Sequence, residues 1–247
     1  MTGERSAHPA MPTLIAFDAD DTLWENEIYF ETAKDRFKDL LASDFDPTWT
    51  ERELDETEMR NLAHFGYGIK GFTLSMIETA LDLTKGAVTG QQVRQILDYG
   101  KELLQMPIEP LPHVEEVLTH LSRTQPLMLL TKGDLFDQEA KIARSGLAGY
   151  FTHIEIVSEK NEETYAALLQ RHGVQPVDFC MVGNSLKSDI LPVVALGGHA
   201  VYVPYYTTWL HERAEPSEAE RQQYHQISHL GELPCLLAER FASTVQN

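Results

Sequence analysis

The sequence predicts an α/β fold, a doubly wound parallel sheet with an inserted all-helical domain, and three observations carry that reading. Short apolar runs alternate with amphipathic stretches of about 10 to 15 residues, the rhythm of parallel strands joined by crossover helices. Residues 24–109 break this rhythm with helical periodicity throughout. The apolar runs lead into Asp18, Thr131, Lys160 and Gly183-Asn184, so polar groups fall at carboxyl ends of strands, where open α/β sheets gather ligands.

Taken in order, Leu14–Phe17 is an apolar run ending in acid, the pattern of a buried strand whose end opens a site. Helices are expected at residues 25–43, 49–65, 70–83 and 89–105, the last with Val93, Ile96, Leu97, Leu103 and Leu104 as its apolar positions. Pro107, Pro110 and Pro112 punctuate the far end of this stretch, and no strand signal interrupts it. The later strands are expected at residues 126–131, 153–157, 178–182, 199–203 and 226–228, with helices at 135–145, 162–172 and 188–196 between them. Gly146 and Gly173 stand where helix C-termini favour a glycine. The domain division is a core of residues 1–23 and 110–247 and a helical insertion of residues 24–109.

A chain of 247 residues suits one large domain or two small ones, and 43% apolar with 23% charged residues is ordinary for a globular protein. The formal net charge of −18, without a basic block, argues against a nucleic-acid partner, because phosphate contacts need clustered Lys and Arg. An anionic small substrate would need local compensation from a metal ion or from individually placed lysines. Cys180 and Cys235 are far apart and have no CxxC partner, which argues against a disulfide framework or a zinc site. Residues 1–6 hold no apolar leader, and no apolar run approaches about 18 residues. The expectation is a soluble cytoplasmic protein with no membrane partner; a homodimer stays open.

The first strand runs into Asp18-Ala19-Asp20-Asp21-Thr22. Three carboxylates within four residues repel one another in a partly buried site, and a hard divalent cation with oxygen ligands is the usual answer. In extended chain Asp18 and Asp20 lie on one face, about 6 to 7 Å apart, a spacing that suits a nucleophile and an acid/base around one reacting centre. An acidic turn capping the helix that follows explains the same residues. Thr131, before Lys132-Gly133-Asp134, places a hydroxyl and nearby main-chain N–H groups where a phosphate oxygen would bind, and a turn with an Asp N-cap explains that stretch equally well. Lys160 follows a strand and precedes a helix, so its amine would neutralise a phosphoryl group and a nucleophile together; a solvated side chain is the plainer reading. Gly183 through Asp189 leaves a strand by a glycine turn with Asp189 placed to complete a metal site, or is an ordinary connector with Ser188 as N-cap.

These four stretches, in this order, resemble the motifs of the haloacid dehalogenase-like (HAD) superfamily: DxDxT, a strand-end Ser or Thr, a distant Lys and an acidic loop. The resemblance implies a Rossmann-like core with a helical C1-type cap in residues 24–109. It also implies a phosphatase of a small phosphorylated substrate, with Asp18 as nucleophile, Asp20 as general acid and base, and Mg²⁺ as cofactor. Phosphate would be held by Thr131, Lys132 and Lys160, and Mg²⁺ by Asp18, the Asp20 carbonyl, Asp189 and the Asn184 position. Asn184 stands where the family usually carries an acid. In the cap, His64, Tyr67 and Lys70, around a glycine loop, are candidates for substrate contact; a surface loop explains them too. Dehalogenation on the same nucleophile, and the phosphonatase branch with a cap lysine such as Lys70 or Lys85, have no use for an acid at position 20. A receiver-type phospho-acceptor is about half this length and carries its acceptor on a middle strand. A catalytically silent scaffold acting by interaction is the remaining alternative. The segment 204–223, with Tyr205, Tyr206, Trp209 and His211, receives no role from these motifs.

Overall fold

The computed structural model describes residues 10–207, 209, 212 and 214–241; residues 1–6 and His211, both noted in the sequence, lie outside them. Leu14–Phe17 forms β1, all four residues buried. Four helices of the insertion follow: α1 (Glu27–Leu41), α2 (Pro47–Phe65), α3 (Ile69–Leu83) and α4 (Gly90–Gln105). Their boundaries follow local chemistry. Asp46 accepts from Trp49 N–H with Pro47 at the first helical position of α2, and Thr89 and Gln92 form a reciprocal capping box on α4. Phe37, Leu54, Phe72, Met76 and Ile96 pack into a core belonging to these four helices alone.

After α5 (Val114–Leu121) the α/β rhythm takes over. The order is β2 (Leu127–Lys132), α6 (Leu135–Ser145), β3 (His153–Val157), α7 (Glu162–His172), β4 (Phe179–Gly183), α8 (Leu191–Ala195), β5 (His199–Tyr202), α9 (Glu218–Arg221), β6 (His225–Gln226) and α10 (Leu233–Phe241). The six strands are parallel and ordered β3-β2-β1-β4-β5-β6. Alternation along the strands feeds two cores, as the period of two requires. Ile15, Phe17, Leu129 and Val182 face the side covered by α5, α6 and α10, whereas Ala16, Met128, Leu130 and Met181 face α7 and α8. Each buried Val, Leu, Ile, Phe or Met contributes about 1.5–3 kcal/mol by leaving water, which is why the central strands are apolar along their whole length.

Helices α5, α9 and α10 were not expected from the pattern, the last strand falls at His225–Gln226 and not at residues 226–228, and the helix expected over 188–196 is divided. A wide π-turn spans Leu186–Ile190, with Asp189 and Ile190 N–H both donating to the Ser185 carbonyl (2.8 and 3.3 Å), and only then does α8 begin. Among the described residues no helix is long and apolar enough to cross a membrane.

Candidate active site

The chain order of the sheet reverses at β1, between β2 and β4, and the carboxyl ends of these strands open into one cavity roofed by α1–α3. Asp18 leaves β1 buried, its N–H donating to the Val182 carbonyl (2.9 Å). The chain then folds back, with Leu23 N–H donating to the Ala19 carbonyl (2.8 Å) and Asp21 in the left-handed region at φ 59°. The Asp21 carboxylate accepts from the N–H groups of Asn26 and Glu27 (2.8 and 3.1 Å) at the start of α1. Burial pushes the Asp21 carboxyl up to about 7, against the pull of the Asn26 amide. One of the three neighbouring acids therefore serves the helix start.

Lys160 ties the remaining motifs together. Its ammonium, buried, donates to Asp18 Oδ1 (2.5 Å) and Asp189 Oδ1 (2.7 Å). Burial works against this charge, but Asp18 and Asp189 together outweigh it and hold its pKa above the ordinary lysine value. Burial raises the Asp18 carboxyl, Lys160 lowers it, Asp189 raises it again, and the net direction is up. Asp189 is fixed by the turn around it, accepting from Ser185 N–H (3.0 Å). A Cβ on Gly183 would lie 2.3 Å from Asp189 Oδ2, so only glycine lets this carboxylate lie against the end of β4. The Thr22 hydroxyl lies within reach of Asp18 Oδ2 (3.3 Å) and Asn184 Oδ1 (3.2 Å), joining the first and last motifs.

Asp20 is held from three sides. Lys141 Nζ donates to both its oxygens (3.0 and 2.9 Å), Trp24 Nε1 to Oδ1 (2.7 Å) and Gln138 Nε2 to Oδ2 (3.0 Å). The Gln138 amide also reaches Thr131 Oγ1 (2.8 Å), so the Thr131 hydroxyl accepts there and keeps its own proton to donate. None of Trp24, Gln138 and Lys141 was among the residues expected at the site. The signal for two of them lay in α6, an amphipathic helix with its first turn inverted. Leu135 and Phe136 are 59% and 67% exposed, whereas Asp137, Gln138 and Lys141 are buried. Polar residues in the apolar stripe of a helix mark a polar surface against which that stripe packs.

The other expected residues divide. Lys132 lines the cavity but is engaged by Glu212 (2.5 Å), Ser188 (3.1 Å) and Glu159 (3.4 Å), with its Nζ 4.1 Å from the centre of the Tyr67 ring. Glu212, in the segment that had no role, also accepts from the hydroxyls of Ser185 (2.6 Å) and Ser188. Burial opposes its charge, yet Lys132 and the two hydroxyls hold its carboxyl below the usual range. Tyr67 lines the cavity, donates to Glu159 (2.8 Å) and meets Trp209 edge to face. His64 and Lys70 do not line the cavity: His64 is exposed at the end of α2, and Lys70 pairs with Asp134 (2.9 Å). Among the described residues no three acidic, His or Cys side chains converge as a metal cluster; the oxygen donors at this corner are Asp18, Asp189 and Asn184.

Comparison with known proteins agrees with this arrangement. A haloacid dehalogenase-like family hydrolase from Xanthomonas campestris is similar over 97% of this chain and 95% of its own, at 38% identity and a TM-score of 0.83. A haloacid dehalogenase from Pseudomonas syringae pv. Tomato shares the fold, at 22% identity and a TM-score of 0.61. N-acylneuraminate-9-phosphatases are also similar: the rat protein is 31% identical over 169 residues, 65% of each chain, and the mouse protein 34% over 130 residues, half of each. The chain thus spans about two thirds of the rat relative's length and half of the mouse relative's. Residues 12–197, which include all four motifs, match the haloacid dehalogenase-like hydrolase family, and the chain belongs to it.

Proposed function

We propose that the protein is a magnesium-dependent phosphomonoesterase that acts on a small phosphorylated metabolite through an aspartyl phosphate on Asp18. The observation that carries the reading is the pair of carboxylates two residues apart, Asp18 held by Lys160 and Asp20 held separately by Lys141, Trp24 and Gln138. Displacement at carbon has no use for the second carboxylate, whereas release of an alkoxide needs its proton. In the first half-reaction an Asp18 oxygen attacks phosphorus, the phosphorus–ester oxygen bond breaks, and Asp20 gives its proton to the departing alkoxide. In the second, Asp20 takes a proton from water as the water oxygen attacks phosphorus, and inorganic phosphate leaves a free Asp18. Thr131 donates its hydroxyl proton to a phosphoryl oxygen, and Lys160 balances charge on nucleophile and phosphoryl group together.

The donor set fits Mg²⁺. Asp18 and Asp189 are two buried carboxylates sharing one ammonium, Asn184 and main-chain carbonyls add neutral oxygens, and Mg²⁺ characteristically takes one or two carboxylates and keeps several waters. Asp18, the Asp20 carbonyl and Asp189 would hold it, with Asn184 beside it, and the ion would supply charge neutralisation between carboxylate and phosphate. On this reading residues 24–109 act as a cap whose Tyr67 faces the substrate. The similarity to phosphatases of a phosphorylated N-acylneuraminate supports a phosphorylated metabolite as substrate. The test is turnover of p-nitrophenyl phosphate with Mg²⁺, with and without chelator, beside Asp18→Asn. A folded Asp18→Asn protein retaining more than about a tenth of the rate refutes the covalent mechanism, since a lost nucleophile costs several factors of ten.

A further inference from the structure

One lysine of α6 lies where an amphipathic helix ordinarily places an apolar side chain. Lys141 is buried, and a buried ammonium is costly unless its hydrogens are paired. Its three N–H donors have three acceptors: Asp20 Oδ1 (3.0 Å), Asp20 Oδ2 (2.9 Å) and Asn26 Oδ1 (2.8 Å). Asp137, one turn earlier on α6, adds a carboxylate oxygen at 3.8 Å. The third acceptor has an unusual place. Asn26 stands at the N-cap of α1, where an asparagine side chain ordinarily accepts from main-chain N–H groups of the first turn. Here it caps nothing, and Asp21 takes the N–H groups of Asn26 and Glu27 instead. The side-chain carbonyl of Asn26 is thereby left to the ammonium.

The orientation of Asp20 depends on its partners, because the carboxyl torsion of an aspartate is soft. Among the described residues Trp24 reaches only its Oδ1 and Gln138 only its Oδ2. The Gln138 amide has two hydrogens and also faces Thr131 Oγ1 (2.8 Å) and the Lys132 carbonyl (2.9 Å), so its hold on Asp20 is shared. Lys141 donates to both oxygens and fixes the plane of the carboxylate. With its three hydrogens on protein acceptors it has none to offer a phosphoryl oxygen, in contrast to Thr131. Resting on the phosphatase reading, we propose that Lys141 is a positioning residue that aims Asp20 for both proton transfers, and that Asn26 positions Lys141 in turn. Proton transfer needs heavy atoms within about 2.6–3.2 Å, and a misplacement of about 1 Å costs as much as about 10²-fold.

The experiment uses the full chain with Mg²⁺ and p-nitrophenyl phosphate, whose leaving group needs little protonation, so the two half-reactions separate. In Lys141→Met the first should survive and the second should slow. The expected result is a rapid release of p-nitrophenolate stoichiometric with enzyme, then a steady rate about tenfold or more below wild type. Phosphorylated Asp18 should accumulate, visible as added mass after acid quench. Because its breakdown then limits turnover, kcat and KM should fall together, and kcat/KM should stay within about fivefold of wild type. Asn26→Ala should show the same pattern more weakly, with little change in Tm because no cap is lost, and should add nothing to Lys141→Met. It carries the test alone where Lys141→Met does not fold. Loss of the rapid phase in a folded Lys141→Met protein, with kcat/KM down about tenfold or more, puts Lys141 on the phosphoryl group and overturns the positioning role. An unchanged steady rate overturns it too, and Asn26→Ala kinetics identical to wild type overturn the role of Asn26. All these outcomes leave the phosphatase reading intact; no p-nitrophenolate from the wild-type protein overturns both.

Discussion

Two carboxylates two positions apart in the chain end in different surroundings, and that difference is what the proposed chemistry requires. Asp18 is buried against Lys160 and Asp189, with Thr22 beside it, whereas Asp20 meets an ammonium, an indole N–H and an amide on both its oxygens. A nucleophile needs to be held close to a positive charge; an acid and base needs to be held in position and to exchange a proton. Asp20→Asn tests the division. General acid–base catalysis is worth about 10²–10⁴-fold, so turnover of alkyl phosphates should fall by that factor. An aryl phosphate needs little help in leaving, so a phosphorylated Asp18 should form and persist, visible as added mass after acid quench. Undiminished turnover of both substrate types would remove Asp20 from the mechanism. In the sequence both residues stand out by spacing alone. Trp24, Gln138 and Lys141 do not, because what identifies them is proximity to Asp20 across as many as 121 residues.

Each element of the site follows a different rule for its buried polar groups. The π-turn after β4 satisfies its acid internally, Ser185 N–H on Asp189, and α6 turns the Gln138 amide N–H group onto Asp20 and Thr131. Helices α1 and α2 leave Glu27 and Glu58 short of donors. Burial pushes the Glu27 carboxyl up to about 8 and the Glu58 carboxyl to about 7. A carboxyl held above its unfolded value adds stability that is fully present below the ordinary carboxylate range and is lost as pH rises through the raised value. The substrate-free protein should therefore melt at a lower temperature at about pH 8.5 than at about pH 5, by roughly 2–4 °C for each kcal/mol lost. Glu27→Gln should shrink that difference, because an amide has no charge to bury. A melting difference identical to wild type in Glu27→Gln would show that this carboxyl titrates alike in both states. The helices themselves were legible from periodicity, except α5, α9 and α10. α5 and α10 are short and held by packing on the sheet, and α9 is a single turn closed by the Ser217–Glu220 capping box, too short to show a period.

At the scale of the molecule, the insertion and the sheet close on each other around the cavity. Tyr67 bonds Glu159 and covers Lys132, and Lys70 pairs with Asp134. Both were expected in the cap loop, but they differ in weight. The Lys70 side chain is 53% exposed, and an ion pair in water is worth about 0–1 kcal/mol, so Lys70→Ala should change kcat/KM by less than about fivefold. Tyr67→Ala removes a hydrogen bond to a carboxylate and a ring over an ammonium, and should lower kcat/KM by about tenfold or more. Equal effects of the two substitutions would mean that closure does not depend on Tyr67. The sequence by itself determined where the strands lie, that residues 24–109 are helical, and which four stretches bear the motifs. Those properties reside in local apolar period, in turn residues and in spacings of a few positions. Only the tertiary structure decided the strand order β3-β2-β1-β4-β5-β6, the grip of Lys141, Trp24 and Gln138 on Asp20, and the capture of Lys132 by Glu212. It also decided that Glu27 and Glu58, ordinary acids in two amphipathic helices, face the cavity. Each of these depends on how elements distant in the chain pack together, and packing is a property of surfaces that no local pattern records.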